Sequence, residues 1–235
     1  MQMSQMHYLP MAPSFFAILI GFFVLVLIFR SIRFAYESIG VSSATAMWLL
    51  FASLIGSFFN IPIAELPPEH MMSDQIVGFF GMQYQVPAVG VAHPIIAVNV
   101  GGALIPTVMS LYLMAKLNLW GKGLLGTAIV ALIMHWLATP VPGLGIAVPV
   151  FWPAIIAAVV ALVLSREYAA PLAYIAGGLG TLIGADITNL DKVRGLGAPV
   201  ASIGGAGTFD GIFLTGILAV LLAAIFARPR RMAPV

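Results

Sequence analysis

The stretch that decides the fold is residues 15–29, which read FFAILIGFFVLVLIF and are followed by Arg30. None of these residues is charged, and a mostly apolar segment of about 20 residues is what a transmembrane helix requires. Residues 1–14 hold no Lys or Arg, and no small-residue cleavage site follows the run. The segment is therefore predicted to be a retained first helix rather than a cleaved signal peptide.

The composition of the whole chain indicates that lipid is the solvent for most of its surface. Of 235 residues, 61% are hydrophobic and 8% are charged, whereas a soluble domain carries about 25% charged residues. The net charge of +2 gives no reason to expect nucleic acid as a partner. Because the chain has no cysteine, disulfides, thiolate metal sites and cysteine nucleophiles are excluded. Membrane lipid is the expected partner, and no cofactor is predicted.

Seven apolar stretches are candidates for membrane spans. Their bounds are 15–29, 44–63, 91–113, 124–138, 146–164, 171–186 and 209–227. The third holds Gly101, Gly102 and Pro106, so it is expected to be tilted, kinked or broken. The fourth and sixth are short for a full crossing. We predict an all-α polytopic transmembrane bundle of about seven spans, which forms a single domain over residues 1–235.

The positive charges between these stretches predict the orientation of the chain, because cytoplasmic loops carry an excess of Lys and Arg. Most of the basic residues fall alternately on one side of the predicted spans, and only Lys192 and Arg194 fall on the other. The residues on the first side are Arg30, Arg33, Lys116, Lys122, Arg166, Arg228, Arg230 and Arg231. We therefore predict an outside N-terminus and a cytoplasmic C-terminus.

Two connections on the predicted outer side are long enough to contribute to a site. Residues 64–90 form an outer loop that is acidic and has no Lys or Arg. Its apolar part, 76–80, is expected to lie in the membrane interface, and a plain connecting loop is the alternative. Residues 187–208 form the second connection, which is rich in glycine.

Two acidic residues lie within the predicted spans, where an ionisable side chain is costly and is a functional candidate by default. Asp186 is at the outer end of the sixth stretch, and Asp210 is at the outer start of the seventh. Consecutive helices joined by a short connection are usually neighbours. The two carboxylates are therefore predicted to lie at a similar depth on adjacent helices.

A pair of neighbouring carboxylates has a definite chemical use. The two groups cannot both ionise easily, so one pKa rises and the other falls, which places a base and an acid in one site. Asp186 and Asp210 are predicted to be the catalytic pair that activates a water for hydrolysis of a peptide bond. The alternative is structural, with Asp210 capping a helix N-terminus and Asp186 lying among lipid headgroups.

Further polar groups fall on the same predicted side and are candidates to line a cavity that opens to the outside. Asn99, His93 and Asn189 are predicted to contact a substrate through their side chains. Gly205 and Gly207 are predicted to do so through backbone N–H groups near a helix start. The alternatives are asparagines that bond a neighbouring helix, a histidine at the interface, and glycines that only add flexibility.

The outer segments also contain methionine and histidine side chains of the kind that bind copper(I). These residues are Met1, Met3, Met6, His7, Met11, His70, Met71 and Met72. Methionine is also a common apolar filler, and the sequence fixes no ligand set. No metal site is predicted, and copper contact is kept as an alternative.

Four motifs resemble an uncharacterised prokaryotic membrane family, the domain of unknown function sixteen-fourteen. They lie at residues 54–62, 98–106, 180–186 and 202–214 and include the Val-Gly-Gly-Ala that begins at Val100. The resemblance covers most of the chain and implies a polytopic fold in a prokaryotic cytoplasmic (inner) membrane. It implies no particular activity.

The acids also give the chain a looser resemblance to intramembrane aspartyl proteases of the presenilin and signal peptide peptidase type. The second acid of those enzymes follows Gly-x-Gly, and Asp210 here follows Gly207 with Phe209 in place of the second glycine. Their first acid usually follows tyrosine, whereas Asp186 follows Ala185. This resemblance implies Asp186 and Asp210 as the catalytic residues.

Three functions are compatible with these residues. An intramembrane aspartyl hydrolase would use Asp186 and Asp210 in catalysis. A small-solute or cation transporter or channel would use both acids and Asn99 as ligands, with the third helix broken at Gly101 and Gly102. An accessory subunit of a larger membrane complex would bind a membrane-protein partner, or a second copy of itself, through the small residues of the sixth stretch.

Overall fold

The computed structural model describes residues 11–67, 69–70, 76–79, 82–85, 91–92, 94–141, 145–149, 151–193, 200–205 and 211–227. The part of the chain that it describes is mostly helical. Seven α-helices occur in this part, in the order of the seven predicted stretches. They are α1 (Met11–Ser38), α2 (Ser43–Gly56), α3 (Ile105–Lys116), α4 (Trp120–Leu137), α5 (Trp152–Leu164), α6 (Ala169–Thr181) and α7 (Gly211–Phe226).

Within the described residues, three helical segments are long and apolar enough to cross a membrane, namely Ala17–Ser38, Trp120–Leu137 and Ala169–Val193. The prediction of an all-α membrane bundle is confirmed, while the number of spans and their orientation stay predictions. The expectation that the fourth and sixth stretches are short for a crossing is wrong. The fourth helix begins at Trp120, so Lys122 lies within it. The long aliphatic part of the Lys122 side chain lets its charged group reach the membrane surface. The sixth continues beyond Asp186.

Helix α6 lies at the centre of the bundle and packs against α3, α4, α5 and α7. All of its residues are buried. A Cβ atom on Gly180 would lie 2.6 Å from the Cβ of Val130 on α4, and one on Gly177 would lie 3.2 Å from the Cβ of Ala157 on α5. Such close backbone approach is how helices associate in lipid, where van der Waals contact is the main attraction.

In the described residues, two helical segments contain a π-helical turn, in which the backbone bonds span one residue more than in an α-helix. The first turn, Val100–Leu104, leads into α3. The second, Leu182–Asp186, continues α6 and is followed by the 3₁₀-helix Ile187–Val193. Turns of this kind occur often at functional sites, so both positions are candidates.

Short strands connect the helices. In the described residues they are β1 (Asn60–Glu65), β2 (Glu69–His70), β3 (Ile76–Phe79), β4 (Met82–Gln85), β5 (Val91–Ala92), β6 (Ile95–Asn99), β7 (Thr139–Val141), β8 (Gly145–Ala147) and β9 (Val200–Ile203). Strand β6 lies between β1 and β9, antiparallel to β1 and parallel to β9. In this sheet Asn60 is opposite Asn99, and Val98 is opposite Ile203.

This sheet corrects the predicted bounds of the second and third spans. Helix α2 ends at Gly56, and the predicted span 44–63 finishes as strand β1. The predicted span 91–113 begins with strands and becomes helical only at Val100. A short apolar run fits a strand as well as a helix. Here β1 and β9 pair with the two edges of β6, which satisfies the backbone groups that lipid would leave unpaired.

The outer connection 64–90 also contains short strands. A plain connecting loop was the alternative for this segment. Ile76–Phe79 pairs with Met82–Gln85 as an antiparallel hairpin, and Glu69–His70 pairs with Val91–Ala92. The location of residues 76–80 in the membrane interface, and the division of the chain into a single domain with two outer connections, stay predictions.

Candidate functional site

The carboxylate of Asp186 marks the centre of the candidate site. Asp186 is the last residue of the second π-helical turn and is half-buried. Its Oδ2 accepts a hydrogen bond from the backbone N–H of Gly204, with an N–O distance of 2.7 Å. A hydrogen bond to an ionised acceptor is about twice as strong as a neutral one. This bond therefore fixes the end of β9 against the end of the α6 helix.

Gly204 can occupy this position only because it has no side chain. Its φ of +91° lies in the left-handed region, which non-glycine residues rarely adopt. A Cβ atom there would also lie 2.5 Å from the Cβ and 2.6 Å from the backbone N of Ala103. Ala103 belongs to the first π-helical turn. The two π-helical turns and the end of β9 therefore meet at one place.

The side chain of Asn99 holds the first π-helical turn in position. Asn99 is 2% exposed. Its Oδ1 accepts from the backbone N–H of Gly102 at 2.9 Å, and its Nδ2 donates to the carbonyl of Ser57 at 2.8 Å and to Oδ1 of Asn60 at 3.1 Å. The amide thus caps the turn and links it to α2 and β1, while its predicted contact with a substrate stays a prediction.

Two further polar side chains extend this network. Oδ1 of Asn60 accepts from Nδ2 of Asn99 and from the hydroxyl of Ser202, the latter at 2.7 Å. Asn60 belongs to β1 and Ser202 to β9, so the hydrogen bonds cross the whole sheet. Ser202 was not predicted as a site residue.

A local repeat in the sequence is the signal that could have identified Ser202. Val100-Gly101-Gly102-Ala103 and Ile203-Gly204-Gly205-Ala206 share the pattern of a β-branched residue followed by Gly-Gly-Ala. Each pattern comes at the end of one of the two parallel strands, β6 or β9. The polar residue before each pattern, Asn99 or Ser202, bonds to Asn60.

The structure brings three of the predicted site residues together. Gly205 lies against Asn99, because a Cβ atom on Gly205 would be 3.2 Å from the Asn99 Cγ. Asn99 is the last residue of β6, and Gly205 follows β9 in the same sheet. Gly204, which precedes Gly205, donates its backbone N–H to Asp186. His93, Gly207 and Asp210 lie outside the described residues.

Asn189 has a separate and local role. It is fully buried, and its Nδ2 donates to the carbonyls of Gly184 at 2.9 Å and Ala185 at 3.0 Å. Its Oδ1 accepts from Nζ of Lys192 at 2.6 Å. The amide therefore caps carbonyls left by the π-helical turn. Its predicted contact with a substrate stays a prediction.

His135 ties α4 to the same segment. Its Nδ1 lies 2.8 Å from Oγ1 of Thr188, and that hydroxyl donates to the carbonyl of Gly184 at 2.7 Å. Because a hydroxyl has one proton, His135 must donate through Nδ1 to Thr188. The backbone around Gly184 is thus held by the side chains of Thr188 and Asn189, the first of them positioned by His135, and this stabilises the turn that ends in Asp186.

Metal ligands are not gathered anywhere in the described residues, where no group of three or more His, Asp or Glu side chains has the spacing to hold an ion. Most of the methionines and histidines considered for copper, such as Met1 and His7, lie outside these residues. The side chains of Met11 and His70 are not described either, so copper contact stays an untested alternative.

The fold and this site define a class of protein: a polytopic α-helical membrane bundle in which two π-helical turns meet beside a polar network around the buried Asn99. The chain belongs to the family described as "Protein of unknown function (DUF1614)", whose model matches residues 54–222. No curated protein and no solved structure matches the chain. The match supports the first resemblance found in the sequence, and the comparisons give the aspartyl-protease resemblance no support.

Proposed function

We propose that the protein is a carrier that binds a small, positively charged solute at Asp186, where its two π-helical turns meet. The observation that carries the proposal is the hydrogen bond between Asp186 and Gly204, because Gly204 also packs against Ala103 of the first π-helical turn. In many transporters, substrates bind where a membrane helix is irregular, and helix ends and unwound backbone groups face the solute.

The charge of the site indicates the charge of the solute. Asp186 lies within the apolar helical segment Ala169–Val193, where a carboxylate is costly and is usually paired or functional. The side chains that are joined across the sheet, Asn60, Asn99 and Ser202, are uncharged. A carboxylate within an apolar segment favours a cationic solute that also donates hydrogen bonds, such as an amine.

The membrane location follows from the same segments. Three segments long enough to cross lipid support an integral membrane protein. We propose the cytoplasmic membrane of a prokaryote, from the resemblance found in the sequence, with the N-terminus outside, from the distribution of Lys and Arg. A membrane-protein partner or a second copy of the chain is compatible with this location.

Uptake into liposomes tests the carrier proposal. Liposomes containing the full chain are expected to take up labelled methylamine, putrescine or choline faster than empty liposomes. Asp186→Asn keeps the side-chain volume and removes the charge, so it is expected to reduce uptake to the empty-liposome level. The matched control is Asp191→Asn, because Asp191 is exposed on the adjoining 3₁₀-helix and its change is expected to leave uptake intact. Equal uptake by wild type and Asp186→Asn would contradict the proposal.

A second candidate is the aspartyl hydrolase. The bond from Asp186 to Gly204 favours it, because Asp210 follows Gly204 by six residues and immediately precedes α7, which packs against α6. About 20 Å of extended chain separates Gly204 from Asp210 at most. Such a hydrolase would cleave a labelled transmembrane peptide, and Asp186→Asn or Asp210→Asn would each abolish cleavage. Cleavage that survives either change excludes an aspartate pair.

A further inference from the structure

We propose that a cleft between the ends of α5 and α7 binds an anionic phospholipid, with an acyl chain in the cleft and the phosphate at Arg166. The observation is a cleft of about 500 Å³ whose lining combines apolar side chains with one cation. The lining residues are Val159, Leu162, Val163, Arg166 and Phe226. This lipid site is separate from the proposed solute site at Asp186, which is not part of the lining.

The cleft lies on the side of α5 that faces away from the bundle. Helix α5 packs against α4, α6 and α7, and Ala157 and Ala161 on its inner side are fully buried. Val159 and Val163 are one turn apart on another side of the helix, and Val163 is 81% exposed. Phe226, the last residue of α7, is 67% exposed. The apolar lining is therefore open to the surroundings of the bundle.

The size of the cleft distinguishes it from an ordinary lipid-facing surface. A volume of about 500 Å³ is within the range of pockets that bind small molecules. Four of the five lining side chains are apolar, so water would find few polar partners there. A hydrocarbon chain in the cleft gains the van der Waals contacts that an unfilled space lacks. The occupant is therefore expected to be apolar over most of its length.

Arg166 lies where the membrane surface is expected. It follows the last residue of α5, Leu164, by two positions and precedes the segment Ala169–Val193 by three. That segment is long and apolar enough to cross a membrane, so its start marks one of the two surfaces. Arg166 is exposed, and the apolar lining residues of α5 precede it. The cleft thus has a cationic end at the surface and an apolar part within the membrane, which is the reverse image of a phospholipid.

The charge around the cleft favours an anionic headgroup. A guanidinium group binds phosphate through two parallel hydrogen bonds. The predicted topology places Arg166 on the cytoplasmic side, and basic clefts between membrane helices on this side are typical sites for anionic lipids. Glu167 follows Arg166 but is not among the lining residues. In the sequence, residues 227–235 after Phe226 include three arginines and no acid.

Native mass spectrometry of the purified, delipidated full chain tests the site. Dioleoyl phosphatidylglycerol and dioleoyl phosphatidylcholine have the same acyl chains, so a difference in their binding reports the headgroup. We expect the wild type to bind phosphatidylglycerol more tightly than phosphatidylcholine. Arg166→Gln is expected to lower this preference about fivefold, which corresponds to about 1 kcal/mol for one cation near a membrane surface.

A second variant tests the apolar part of the cleft. Val163→Trp fills the cleft from an exposed position, so it is expected to weaken the binding of both lipids without unfolding the bundle. The matched control for the charge is Arg33→Gln, because Arg33 is an exposed cation on α1 that does not line the cleft. Its change is expected to leave the preference for phosphatidylglycerol intact. Thermal unfolding in detergent confirms that each variant is folded.

Each of four results would overturn the lipid site. Equal binding of the two lipids by the wild type indicates only a general lipid coat. A preference that survives Arg166→Gln, or that Arg33→Gln lowers equally, removes the role of Arg166. Lipid binding unchanged in Val163→Trp locates the lipid elsewhere. A wild-type dimer that Val163→Trp dissociates shows that a second copy of the chain covers the cleft. Asp186→Asn is expected to bind lipid like the wild type, so amine uptake and lipid binding are judged independently.

Discussion

Gly204 controls the geometry around Asp186, because it directly follows β9 and its backbone N–H donates to the carboxylate. Its positive φ and its contact with Ala103 leave no space for a side chain. A strained φ and a steric overlap each destabilise a variant, so the effects of a substitution here combine.

Gly204→Ala is therefore expected to destabilise the protein by about 2 kcal/mol or more. The measurement is thermal unfolding of the purified protein in detergent. Gly121→Ala is the control, because a Cβ atom at Gly121 on α4 meets nothing within 4 Å, and alanine is a better helix former than glycine by about 1 kcal/mol. If both variants unfolded at the same temperature, the close contact between Gly204 and Ala103 would be disproved.

A second prediction concerns the donor groups of Asn99. Asn99→Asp nearly preserves the volume but removes both N–H donations, to the carbonyl of Ser57 and to Asn60, and places oxygen against oxygen. Asn99→Ala removes the same bonds and the cap on Gly102 without adding a charge. The buried charge is expected to make Asn99→Asp the less stable variant, by about 1–3 kcal/mol. Chemical denaturation checks the order, and the reverse order would rule out the hydrogen-bond arrangement around the Asn99 amide.

At the scale of the elements, sequence reasoning succeeded where apolar runs are long. Each predicted stretch contains an α-helix in the described residues, and the break expected at Gly101 and Gly102 falls in the first π-helical turn. The strands were missed because residues 95–99 are apolar without a period that separates helix from strand. Their partners, β1 and β9, are distant in sequence, so no local pattern shows the pairing.

The candidate site was predictable only in part, because no local pattern shows contacts between residues that are distant in sequence. Asp186 stands out because it is an acid in an apolar run. Its partner Gly204 donates through the backbone, and backbone donors carry no sequence signature of their own. Ser202 is an ordinary residue until the repeated Gly-Gly-Ala pattern is compared with the strand register.

The packing of α4 against α6 leads to a third prediction. A Cβ atom on Gly184 would overlap the backbone of Ala131, so Gly184→Ala is expected to separate the two helices and to destabilise the protein by about 1–3 kcal/mol. Gly178→Ala, on the same helical segment, is the matched control because its Cβ has room. Thermal unfolding of the two variants compares them directly, and equal stability would contradict the close α4–α6 contact.

At the scale of the whole molecule, the orientation of the bundle decides which side of the membrane reaches Asp186. The bundle contains exposed positions at both of its predicted membrane surfaces, including Glu167 before α6 and Asp191 after it. The chain has no cysteine, so a single introduced thiol is labelled without background.

Asp191→Cys is expected to react with a membrane-impermeant maleimide in intact cells, because the predicted topology places it outside. Glu167→Cys is expected to react only after the membrane is permeabilised. The measurement is the mass shift of the labelled chain. The opposite pattern would invert the orientation, and equal labelling at both positions in intact cells would show that Ala169–Val193 does not cross the membrane.

The enclosure of α6 has a consequence for how the protein is synthesised. In Ala169–Val193, 83% of the apolar window is buried inside the bundle, against 0% in Ala17–Ser38. Membrane helices insert one after another and assemble afterwards, so α6 enters the bilayer before α7 has been translated. Until α7 arrives, the glycine-rich surface of α6 faces lipid tails without its native neighbour. Translation that stops after Val193 would therefore yield an inserted but unassembled chain, which membrane quality-control proteases recognise and degrade.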